Sequence, residues 1–85
     1  MIQVRIFGPL REKIGIGSLE VDASQAGTVD ELLTAVSEMT RAAKGSELRK
    51  ASILVNGTSI TSLKLLRTPV TSGDEVVLLS PVGGG

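Results

Sequence analysis

The chain has 85 residues, one aromatic side chain (Phe7) and no Cys, His, Trp or Tyr. That excludes a disulfide framework, the common zinc sites, a Cys or His nucleophile and a Ser-His-Asp triad, and it leaves an aliphatic core. Nine basic and nine acidic residues cancel, so no net field draws in nucleic acid or an anionic membrane, and no apolar run nears the roughly 20 residues of a membrane span.

Ile2 to Phe7 alternates apolar and polar, the period of a strand with one buried face, and Gly8-Pro9 stops it. Leu10 to Ile14 fits one helical turn, and Gly15 and Gly17 break it. Ile16 to Val21 is a second short strand, with Leu19 and Val21 on one face; residues 22–27 are small and polar, hence loop. The amino terminus enters a strand pattern at once, so no leader peptide is expected and a cytoplasmic setting is the default.

Thr28 with Glu31 three residues on has the form of a capping box, and Asp30 and Glu31 suit the positive end of a helix dipole. Val29, Leu32, Leu33, Val36, Met39 and Ala43 then form an apolar stripe on a helix of about four turns, running to about Lys44 and stopped by Gly45. Arg41, Lys44, Arg49 and Lys50 gather where cations complement the helix C-terminus. Residues 46–50 read as loop, with one helical turn around Leu48.

Ile53-Leu54-Val55 followed by Asn56-Gly57 is a hairpin signal, with Thr58-Ser59-Ile60 as the return strand. Residues 62–67 fit a turn of helix or coil. Thr68-Pro69-Val70 is extended, and Ser72-Gly73-Asp74 is a tight turn. Glu75 to Leu79 contains four successive apolar residues, suited to a strand buried on both faces and therefore central. Two strands, one long helix, then two or three strands make one α+β unit, a mixed sheet of four to five strands with one main helix on one face. A central last strand leaves no long open edge there, so a monomer is expected for the free chain.

Conventional catalysis finds little here. Gly15-Ile16-Gly17 does not continue into a phosphate loop. The acidic pairs Asp30-Glu31 and Asp74-Glu75 are accounted for by capping and by a turn.

The segment after the last strand differs in kind. Residues 1–80 form the domain, and residues 81–85, Pro81, Val82, Gly83, Gly84 and Gly85, form a flexible tail ending in a diglycine. From Ser80 such a tail reaches about 20 Å when extended. Glycine without a Cβ threads channels that any side chain would block, and Pro81 stiffens the root and removes one donor. A terminal carboxyl, with an ordinary pKa of about 3.3–3.7, is ionised at neutral pH. It can attack the α-phosphate of ATP in another protein's site, after which the acyl-adenylate accepts sulfur or a lysine amine. On this reading the chain is the carried group and no enzyme. Exposed apolar residues near the tail root, with Leu78 and Val82 as candidates, would form a partner interface.

Phe7-Gly8-Pro9-Leu10-Arg11-Glu12-Lys13-Ile14-Gly15, Thr28-Val29-Asp30-Glu31-Leu32-Leu33, Val55-Asn56-Gly57, Gly73-Asp74-Glu75-Val76 and terminal Gly84-Gly85 together resemble the MoaD/ThiS family of ubiquitin-like β-grasp sulfur carriers, over almost the whole chain. The resemblance is nearest to the MoaD branch, the small subunit of molybdopterin synthase. It implies a β-grasp fold with the first and last strands parallel at the sheet centre. It also implies an E1-like, MoeB-type adenylating enzyme using ATP and magnesium, and a MoaE-type large synthase subunit that takes sulfur for molybdenum cofactor synthesis. Gly85 would be the residue adenylated and converted to a thiocarboxylate, or joined through an isopeptide. No cofactor of the chain's own is implied. Members of the MoaD branch often carry aromatics in the last strand and a second proline before the tail, where this chain has Leu78-Leu79 and Ser80. The archaeal small-modifier and Urm1-like branch, attached to protein lysines or serving tRNA thiolation, is the alternative that this difference points to.

Overall fold

The structure, a computed structural model, describes residues 1–41 and 44–80. β1 (Ile2–Ile6) leads into a short helix, α1 (Gly8–Ile14), and β2 (Ser18–Val21) returns antiparallel to β1. A 3-10 turn over Ala23–Gln25 is capped by Asp22, whose Oδ1 accepts from the Ser24 N–H at 2.9 Å. The main helix α2 (Val29–Thr40) and a short α3 (Gly45–Leu48) follow. β3 (Ser52–Val55) and the two-residue β4 (Thr58–Ser59) form a hairpin, and β5 (Glu75–Leu79) closes the domain.

The sheet order is β2-β1-β5-β3-β4. β1 and β5 run parallel at its centre, Val4 opposite Val76 and Ile6 opposite Leu78. This is the β-grasp arrangement that the resemblance implies, in the α+β class expected. The helices cover one face only. Ile2, Val4, Ile6, Val76 and Leu78 of the sheet meet Val29, Leu32, Leu33 and Val36 of α2, with Leu48 from α3, and all of these are fully buried.

Local chemistry explains most elements. Thr28 Oγ1 accepts from the Glu31 N–H at 3.3 Å, and Glu31 Oε1 accepts from the Gly27 N–H at 2.9 Å, so the cap forms with its reciprocal bond one residue further back. Asn56 and Gly57 both take positive φ, 51° and 86°, the pair of angles a two-residue hairpin turn of this hand requires. Gly73 turns at φ 94° before β5.

Five expectations are corrected. α2 ends at Thr40 rather than near Lys44, because Arg41 takes the left-handed conformation and its N–H returns to the Ser37 carbonyl. Gly45 therefore does not stop α2 but opens α3, and Met39 is 55% exposed rather than part of the stripe. Arg49 serves the opposite end of α2 from the one expected: its Nε donates to Asp30 Oδ1 at 2.6 Å and an Nη to Thr34 Oγ1 at 3.1 Å. β5 is buried on one face only, since Val77 and Leu79 are half-buried where no helix covers them. Ala43 lies outside the described residues.

Candidate functional site

The site begins where β5 hands over to the tail. Strand alternation sends Val76 and Leu78 into the core and Glu75, Val77 and Leu79 to the open face of the sheet. Leu78 is fully buried, so it cannot line a partner surface, and that assignment is withdrawn. Its neighbours on either side, Val77 and Leu79, are the apolar residues of β5 on the open face. Glu75 carries the sequence signal that would have found them: a charged residue at one parity of the strand marks that parity as outward.

Cross-strand register assembles the open face. Val77 lies opposite Arg5 of β1 and Leu54 of β3, and Leu79 lies opposite Ser52. Phe7, one step beyond Ile6 in extended backbone, joins Gln3 and Arg5 on this side and is 41% exposed. Phe7, Leu54, Val77 and Leu79 thus gather at the tail end of the sheet. Gln3, Glu20 and Glu75 occupy the other end, where Glu75 Oε2 pairs with Arg5 Nε at 2.9 Å. Beside the apolar group runs a groove lined by Arg5, Phe7, Arg11, Ile16 and Gly17.

The tail root is fixed by β1 and α1. The Phe7 N–H donates to the Leu78 carbonyl at 3.0 Å, and the Leu10 N–H donates to Ser80 Oγ at 3.0 Å. Gly8 sits under that hydroxyl at φ 70°, and a Cβ there would come within 3.3 Å of it. Pro81, Val82, Gly83, Gly84 and Gly85 lie outside the described residues.

The acidic pairs are structural. Asp30 holds Arg49. Asp74 accepts from Asn56 Nδ2 at 3.0 Å and from the Thr71 N–H at 2.8 Å, and these bonds, Asn56 first, hold its carboxyl below the usual range. Among the described residues no three acids converge to hold a metal ion, and no helix is long and apolar enough to cross a membrane.

The parallel β1–β5 pair ends β5 beside this apolar patch, and sequence comparison supplies the family. The ThiS family model matches residues 4–85. The chain belongs to the ThiS family. An Archaeoglobus fulgidus protein named as a sulfur carrier is 36% identical over 87 residues, covering 89% of this chain and 93% of its own. The solution structure of small archaeal modifier protein 1 from Methanosarcina acetivorans superposes with a TM-score of 0.83 at 28% identity, over 99% of this chain and 95% of that one. A complex of subunits 1 and 2 of the molybdopterin-converting factor from Helicobacter pylori contains a chain with a TM-score of 0.65 at 30% identity, over 99% and 97%. ThiS-family members are ubiquitin-like sulfur carriers, so the activity to be sought is that of a carried group.

Proposed function

We propose that this chain carries sulfur as a thiocarboxylate on Gly85 for molybdopterin synthesis. The observation that carries this reading is the placement of the tail root. β5 is central, its last residue, Leu79, stands with the exposed Phe7 and the half-buried Leu54 and Val77 on the open face, and Ser80 is pinned to α1. A partner that docks on this face meets the tail at its start. The Helicobacter pylori relative, solved as a two-subunit complex, supports a large synthase subunit as one such partner.

The chemistry takes place in two partner sites. In an E1-like enzyme of the MoeB type, with ATP and magnesium, a carboxylate oxygen of Gly85 attacks the α-phosphorus. The bond to the bridging oxygen of the β-phosphate breaks, and pyrophosphate leaves. A sulfur nucleophile then attacks the acyl carbon and AMP leaves, giving the thiocarboxylate; where a persulfide supplies the sulfur, a second thiol takes the partner sulfur as a disulfide. In a MoaE-type subunit the thiocarboxylate sulfur finally attacks a carbon of a pterin precursor as an oxygen leaving group departs, and water then cleaves the acyl–sulfur bond, leaving sulfur on the pterin and returning the carboxylate. Gly83 and Gly84 give the tail the slender profile this threading needs, and Pro81 and Val82 form its stem.

Intact-mass spectrometry tests the reading. After incubation with the adenylating enzyme, ATP, magnesium and a sulfur donor, one oxygen should be replaced by sulfur. A chain with a residue added after Gly85 should stay unchanged, and sulfur appearing on it overturns the reading.

The likeness to the Methanosarcina modifier favours a second reading, a ubiquitin-like tag joined through Gly85 to lysines of other proteins. It predicts tryptic peptides bearing a tail remnant on lysines in cells that express the chain. Their absence counts against it.

A further inference from the structure

α1 begins without a cap of its own. Phe7 at its N-cap position offers no side-chain acceptor, Pro9 has no N–H, and the Leu10 N–H would be left without a partner inside the helix. That donor is satisfied from 70 residues away, by Ser80 Oγ in a partly buried bond. The two bonds gripping the end of β5 differ in what they require. Phe7 N–H to Leu78 carbonyl is a backbone bond that any sequence could make. Leu10 N–H to Ser80 needs a hydroxyl at that one position, and it needs Gly8, whose φ of 70° and missing Cβ leave room for it.

We propose that Ser80 is a positioning residue for the C-terminal carboxyl. Its hydroxyl, docked on the first turn of α1, fixes the point from which residues 81–85 start. The inference rests on the carrier reading above. Without the latch Ser80 itself is no longer held, and a partner has to order that one residue as well when it captures the tail. Ordering one further residue lowers capture by about five- to tenfold while leaving the chemistry of the captured carboxyl untouched.

The experiment compares the full chain with S80A and S80T in ATP–pyrophosphate exchange catalysed by a MoeB-type adenylating enzyme with magnesium. Hydrogen exchange at the Leu10 amide is followed in parallel. S80A should raise the KM for the carrier about five- to tenfold at nearly constant kcat. The Leu10 amide should exchange faster while β1 and β5 stay protected. S80T, which keeps the acceptor, should restore both. An unchanged KM with a faster Leu10 amide makes the bond a helix cap and nothing more. An unchanged Leu10 amide, or a loss confined to kcat, likewise overturns the proposal. Absence of exchange with the unaltered chain overturns the carrier reading itself and this inference with it, so the two failures are told apart.

Discussion

Asp74 shows how much one side chain organises near the start of β5. One oxygen accepts from Asn56 Nδ2 and the other from the Thr71 N–H, while Asn56 Oδ1 accepts from the Glu75 N–H at 2.9 Å. The hairpin tip, the Gly73 turn and β5 are thereby sewn together. Because the folded carboxyl is held below its ordinary value, the unfolded chain binds more protons as pH falls. Asp74 therefore contributes stability that is fully present above about pH 4 and is lost as pH drops through its folded value. Asp22, through the Ser24 N–H, and Glu47, through Lys13, act in the same direction. Thermal melts between neutral pH and about pH 3 should show the midpoint falling. D74A should lower stability by about 1 kcal/mol at neutral pH and flatten that slope; an unaltered slope would show that the other carboxylates carry it.

At the scale of elements, α2 is held at its first turn. Thr28 caps it, and Arg49 reaches back from beyond α3 to Asp30 and Thr34. T28A should cost about 1 kcal/mol, read as a lower midpoint in urea with the slope unchanged. The start of α2 was legible because Thr28, Asp30 and Glu31 are chemically specific at their positions. Its end was not. Arg41, a residue with no left-handed preference, terminates the helix, while Gly45, which does carry that signal, opens the next one. Arg49 lies at the other end of α2 from the one its sequence position suggests for a related reason: proximity in sequence to the end of α2 says nothing about how α3 folds back.

For the whole molecule, strand number, hairpin and the central place of β5 were all readable from period and run length. The facing of β5 was harder, since Val76, Val77, Leu78 and Leu79 are apolar at both parities and only Glu75 breaks the tie. The distinction is testable. L78A empties a fully buried position and should cost about 2–4 kcal/mol. L79A should cost less, yet weaken binding of the adenylating enzyme, as measured by calorimetry. Equal binding by L79A and the unaltered chain would remove the open face from the partner interface.

The parallel pairing of β1 with β5 has a practical corollary. Met1 lies beside the turn that precedes β5, its ammonium donating to Ser72 Oγ and its carbonyl accepting from the Gly73 N–H. Ser80 follows the far end of the same strand, about 20 Å from that turn. An affinity handle, dye or solid support attached through the amino group thus sits at the opposite end of the strand from Ser80, which makes that terminus the place to label or immobilise the chain.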